Sequence, residues 1–267
     1  PLAPRSSAGA TEPMTASAVR SREVAIAAVL VACAPLVLLV FNRDWFITSD
    51  GIDQWNYVGF FHQYANPQFA PGAYKLGRLP WILIGFLVNT VFPPMAATYA
   101  LHGLFLCLTT LAMFAALYLL LGRLALAAVI ATLFGFYTQA HGVGGWDYHD
   151  TPTGAFYLLT VAMLAWPTVV AGRTIALILM GAVTAVAVHT HLELVNFLPS
   201  LAFMYLTIVR VRTGAWLRPR AIAVRLGWAL LGAVLITLVL CVINWMVGRE
   251  FLFFRVLVNM AAAYVSD

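Results

Sequence analysis

The chain has 267 residues, 63% of them hydrophobic and only 9% charged, with 15 Lys and Arg against 10 Asp and Glu. A soluble domain carries about a quarter of its residues as charge and under half as apolar side chains, so a water-soluble globular fold is excluded. The apolar stretches are continuous rather than alternating, which predicts an all-α integral membrane protein: a multi-span helical bundle of about 7–8 apolar segments.

The pI near 9.3 does not point to nucleic acid. The arginines fall in short clusters between apolar runs, the pattern of the positive-inside rule rather than of a binding patch, and no nucleic-acid partner is expected. Cys33, Cys107 and Cys241 lie scattered within apolar runs and offer neither a disulfide framework nor metal-ligand spacing.

Residues 1–23, rich in Pro, Ser, Ala and Thr up to position 18, read as a disordered N-terminal segment, and 24–267 as a transmembrane helical module. Arg20 and Arg22 precede the first apolar run, 25–41, and place its start on the cytoplasmic side. That run is long enough to span and no small-residue cleavage site follows it, so it reads as an uncleaved anchor rather than a signal peptide.

The extracytoplasmic loop that follows, 42–80, is the one long polar stretch between apolar runs, and it holds Asp44, Asp50 and Asp53. Within it, 51–64 carries Ile52, Trp55, Tyr57, Val58, Phe60 and Phe61 among few polar residues, which predicts a short helix lying in the membrane interface. Pro67, Pro71, Gly72 and Gly77 mark 63–77 as irregular loop. Lys75 is the only lysine, and Arg78-Leu79-Pro80 leads into 81–92, whose length fits a re-entrant segment as well as a span.

Pro93-Pro94 breaks that run. Spans follow at 97–121 and, shorter, at 124–137. A second polar loop, 139–153, contains Gly142, Gly144, Gly145 and then Trp146-Asp147-Tyr148-His149-Asp150. Residues 154–170 span again, and 174–188 and 196–208 flank the polar island His189-Thr190-His191-Leu192-Glu193. Five arginines in 210–225 mark a cytoplasmic connection, and 226–247 is the last clear span. The stretch 249–267 is amphipathic and stops without a polar tail, the pattern expected of a chain truncated at its C-terminus.

If 81–92 dips in without crossing, Arg123, Arg173 and the 210–225 cluster share the cytoplasmic side. Asp44, Asp50, Asp53, Asp147, His149, Asp150, His189, His191 and Glu193 then share the other. Full crossing by 81–92 moves Asp147 inside and Arg123 outside, so the first arrangement satisfies the positive-inside rule better.

Asp50 follows Thr48-Ser49 and suits the N-cap of the 51–64 helix, with Asp53 at N3 complementing the dipole. Asp53 and Tyr57 are four apart and share one side of that helix. Asp147 and Asp150 face an equally simple alternative, since Asp150-Thr151-Pro152 also reads as a helix start. His189, His191 and His149 with a nearby carboxylate form a sensible divalent-metal set. Ordinary interfacial histidines explain the island as well, and His62 and His102 read as interfacial packing.

The sequence Asp53-Gln54-Trp55-Asn56-Tyr57 just after the first span, followed by Lys75 and Arg78-Leu79-Pro80-Trp81 at the next apolar segment, resembles the first extracytoplasmic loop of the GT-C glycosyltransferases. That class uses polyprenyl-phosphate sugars and includes protein O-mannosyltransferases and aminoarabinose transferases. The resemblance runs over 25–208 in layout and is carried by a dozen residues. The acid pair usual right after the first span is here spread over Asp50 and Asp53, and the later spans and soluble domain are missing.

What the resemblance implies is transfer of a hexose or pentose to an extracytoplasmic acceptor, in a bacterial inner (plasma) membrane. Asp53 would be the catalytic base, with Asp50 and Asp147 as further candidate catalytic carboxylates, and Tyr57, Lys75, Arg78 and Asp150 would bind substrate. A divalent ion could be held by His149, His189 or His191. The partners implied are the polyprenyl-phosphate sugar, membrane lipid and further membrane subunits. The short length favours the alternative, a non-catalytic GT-C-like subunit of a larger complex.

Overall fold

The computed structural model describes residues 13–41, 52–70, 73–137, 150–168 and 173–259, with side chains from 21, 56 and 152 onward in the first, second and fourth of these stretches. Asp50, Asp147 and His149 lie outside the described residues, and Asp53 and Asp150 are described in their backbone alone. Regular structure among the described residues is helical throughout: α1 (Pro13–Phe41), α2 (Ile52–Gln63), α3 (Leu79–Val91), α4 (Pro94–Leu121), α5 (Leu124–Gly135), α6 (Asp150–Ala165), α7 (Arg173–Thr190), α8 (Leu198–Thr213) and α9 (Pro219–Met246). Short 3-10 turns cover Tyr74–Arg78, Trp166–Thr168 and Leu192–Phe197.

The boundaries follow from local chemistry. Proline opens α3, α4, α8 and α9 at a first-turn position, where its missing N–H costs nothing. Glycine in the left-handed region closes α4 at Gly122 (φ 67°) and α8 at Gly214 (φ 73°), as a helix C-terminus favours. Helix α9 begins earlier than the apolar run at 226 suggests. Arginine is a good helix former, so the helix starts at Pro219 and carries Arg220 and Arg225 in its first turns.

Among the described residues, five stretches are long and apolar enough to cross a membrane: Ser21–Phe41, Pro94–Leu121, Arg173–Thr190, Leu192–Thr213 and Pro219–Met246. The count of seven to eight expected from the sequence therefore exceeds the helices of spanning length among the described residues. Helix α5 rises about 18 Å and α3 about 20 Å at 1.5 Å per residue, short of a hydrocarbon core of about 30 Å. Gly135, at the end of α5, packs closely on Ala34, Pro35 and Thr110.

Helices α1 and α4 run antiparallel, with Cys107 Sγ 3.3 Å from the Ala32 carbonyl and Gly103 beside Leu36 and Leu39. Helices α7 and α9 run parallel and cross where Gly181 meets Ala229 and Gly232 meets Ile178. The Arg212 guanidinium, at the end of α8, donates to the Leu119 carbonyl at the end of α4. Together these contacts gather Arg22, Arg123, Arg173, Arg210, Arg212, Arg218, Arg220 and Arg225 at one end of the bundle. Three apolar clusters hold it together: one among α1, α4 and α5, one among α6, α7 and α8, and the largest around α2 and α3.

A candidate anion-binding site beside α2

Helix α2 forms where the sequence places it, and one face of it packs against the rest of the protein. Tyr57, Phe60, Phe61 and Tyr64 are buried against α3, the end of α9 and Phe253. Phe61 meets Trp81 edge-on at 5.0 Å between ring centroids, and Trp81 meets Phe105 of α4 at 5.4 Å. Large aromatic side chains bring much apolar area, and protein packing takes up that of Tyr57, Phe60, Phe61 and Tyr64. The polar edge of the helix, with Asn56, His62 and Gln63, stays exposed.

The expected irregular loop after α2 is a compact turn. Asn66 N–H and Phe69 N–H close successive turns on Gln63 and Asn66 carbonyls, and the 3-10 turn Tyr74–Arg78 buries Lys75, Leu76 and Gly77. This reversal brings residues 75–78 back onto the first half of α2. Arg78 Nη1 donates to Tyr57 Oη at 2.5 Å. The Arg78 guanidinium carbon and Lys75 Nζ each sit 5.9 Å from the Tyr57 ring centroid, and Lys75 Nζ sits 5.6 Å from that of Tyr74. Two cations 21 and 18 positions downstream thus converge on the phenol that the sequence paired with them. Asp53 stands one turn before Tyr57 on the same helix.

What fixes this arrangement is a residue the sequence reading passed over. Arg249 is buried and donates to four carbonyls at the end of α2 and in the turn after it: Tyr64 (3.0 Å), Asn66 (2.7 Å), Phe69 (3.3 Å) and Gln63 (3.4 Å). A helix leaves its last carbonyls unsatisfied, and a cation there complements the dipole. Gly248, with φ 80°, allows the backbone to turn sharply after α9 and aim the arginine back. Asn244 completes the junction, accepting from Tyr64 Oη at 3.1 Å and donating to the Glu250 carbonyl at 2.6 Å. Asn244, an amide inside an otherwise apolar run, was the signal that could have revealed this junction.

The remaining candidates are spread out. Asp150 begins α6, with Pro152 in its first turn. His189 ends α7, 3.1 Å from Thr237 Oγ1, its ring packed by Phe253 (4.9 Å) and Phe254 (5.7 Å). His191 precedes the 3-10 turn that holds Glu193. Among the described residues no three His, Cys, Asp or Glu side chains gather as a metal site requires. The donor set is thus not assembled by the described residues. His62 is exposed, and His102 is buried within α4. The indole N–H of Trp81 is buried without a hydrogen-bond partner among the described residues.

No family model, no curated protein and no solved structure matches this chain.

Proposed function

We propose that this chain transfers a sugar from a polyprenyl-phosphate donor to an acceptor on the extracytoplasmic side of a membrane. The observation that carries this reading is the convergence of Lys75 and Arg78 on Tyr57, one helical turn from Asp53, in the half of the bundle away from the clustered arginines. Two cations near an apolar wall suit a phosphate attached to a lipid, with the prenyl tail among the helices. Arginine's planar fork matches two phosphate oxygens, and lysine supplies a compact second charge.

In the reaction the acceptor oxygen attacks the anomeric carbon as the bond from that carbon to the phosphate oxygen breaks. The bonding electron pair leaves with the phosphate, where Arg78 and Lys75 stabilise it. The acceptor's proton passes to the Asp53 carboxylate. Tyr57 holds Arg78 in the orientation this requires. The arginine-rich end is then cytoplasmic, by the positive-inside rule.

The test is binding of labelled polyprenyl phosphate to the purified chain. Charge-assisted hydrogen bonds contribute about 1.5–3 kcal/mol each, so Arg78→Ala should weaken binding about tenfold or more. Arg78→Lys, which keeps charge and loses the fork, should fall between. Equal binding by the wild type and Arg78→Ala removes Arg78 from the site.

A further inference from the structure

A second feature, which the transfer reaction does not use, runs from the arginine-rich end of the bundle along α7 as far as His189 and Thr237. Helices α7, α8 and α9 enclose a cleft of about 760 Å3, walled by residues such as Leu177, Met180, Ala202, Leu226 and Leu230. Its size falls in the range of about 300–1,000 Å3 typical of ligand sites, but its lining is almost wholly apolar. It opens between long helices of spanning length, where only a lipid chain is available in quantity to fill it.

The cleft continues into a second, smaller pocket of about 430 Å3. Both share Leu177 and Arg225, and the smaller one adds Arg173, Arg218, Arg220 and Trp228. Two helices, α7 and α9, begin at this pocket, so their N-terminal dipoles reinforce the positive field. Arg225 is held in place by its bond to Tyr205 Oη at 2.8 Å, and Arg173 by the Pro167 carbonyl at 3.2 Å. Among the described residues the ion pair present is Arg255–Glu250, beyond the far end of α9, and no carboxylate neutralises the four arginines.

We infer that this composite cleft is a binding site for one anionic glycerophospholipid, its phosphate at Arg173, Arg218, Arg220 and Arg225 and an acyl chain between α7, α8 and α9. The charge is complementary at one end and the apolar wall at the other, which is the layout of such a lipid. Polyprenyl phosphate shares the chemistry, but the pocket beside Val224 is 16 residues, about 24 Å of helix, from Leu240, which packs in the cluster around Tyr57. The two lipids therefore have separate phosphate sites. The bound phospholipid would pin the start of α9 to that of α7 at the membrane surface.

The experiment is native mass spectrometry of the purified full chain with phosphatidylglycerol, phosphatidylcholine and polyprenyl phosphate in turn. Wild type should retain one phosphatidylglycerol in preference to phosphatidylcholine. In Arg218→Gln/Arg220→Gln, whose side chains are exposed so that folding is preserved, the preference should fall about fivefold per arginine removed, as loss of a basic residue near a charged bilayer implies. Ala202→Trp, which narrows the cleft and keeps every arginine, should also reduce retention of the diacyl lipid. Equal retention of the two phospholipids by wild type, or an unchanged preference in the double arginine variant, overturns the proposal. Full retention by Ala202→Trp overturns it too, and one-for-one displacement by polyprenyl phosphate makes the cleft a donor site instead. Arg78→Ala leaves phosphatidylglycerol retention unchanged, which separates this inference from the transfer reaction.

Discussion

Among single residues, Arg249 holds more of the site together than any candidate read from the sequence. It bonds four carbonyls at the end of α2 and in the turn after it. Those of Gln63 and Asn66 also accept backbone N–H groups, so its loss strands chiefly the Tyr64 and Phe69 carbonyls, and each buried acceptor left unpaired costs about 1–3 kcal/mol. Arg249→Ala should therefore lower stability by about 3 kcal/mol or more, and Arg249→Lys should recover only part, since one ammonium cannot reach four acceptors. Thermal unfolding in detergent measures both. Beside it, burial pushes the Tyr64 phenol up to about 12 from 10, with the charge of Arg249 pulling the other way. A raised pKa means the folded state holds the proton that the unfolded chain releases. The contribution is thus complete below pH 10 and is lost as pH rises toward 12. Tyr64→Phe cannot ionise, so its unfolding temperature relative to wild type should improve between pH 9 and pH 11.5.

At the scale of elements, the sharpest constraint is the crossing of α7 and α9. A methyl group on Gly181 would fall on the Ala229 carbonyl, and one on Gly232 on the Ile178 carbonyl, and neither backbone can move without parting the helices. Small residues at such crossings let membrane helices approach closely. Gly181→Ala or Gly232→Ala should destabilise by at least the 1–3 kcal/mol typical of overpacking. Gly154→Ala, with open space around it in α6, should be neutral or slightly stabilising. Melting temperatures of the three variants in one detergent provide the comparison. Helices of this kind were legible in the sequence because apolar length is a local property and proline and glycine mark their ends. The burial of α2 was not, because an aromatic-rich amphipathic stretch reads alike whether lipid or α3 covers it. Nor was the Arg249 junction, which joins positions about 185 apart through backbone carbonyls that carry no side-chain signature.

Across the whole molecule, charge is divided between the two ends. The arginine-rich starts of α7 and α9 lie at one end, and α2, Glu193 and Glu250 lie toward the other. With Cys33, Cys107 and Cys241 replaced, Asp53→Cys and Glu193→Cys should react with an impermeant thiol reagent in intact cells, and Arg220→Cys only after permeabilisation. Labelling of Arg220→Cys in intact cells would invert the topology and remove the extracytoplasmic site. The pairing of Tyr57 with Lys75 and Arg78 was legible as a motif, whereas its cause, the turn that folds 75–78 back over α2, lies in tertiary packing. If this end carries out sugar transfer with Asp53 as base, transfer from a labelled polyprenyl-phosphate sugar in membranes depends on that carboxylate. A positioned base contributes about a hundredfold to ten-thousandfold in rate, so at matched abundance Asp53→Asn should lose transfer by that factor. Asp50→Asn should be nearly silent, since asparagine caps a helix about as well as aspartate. Loss in Asp50→Asn with activity kept in Asp53→Asn, or no transfer by wild type from any lipid-linked donor, would contradict the account.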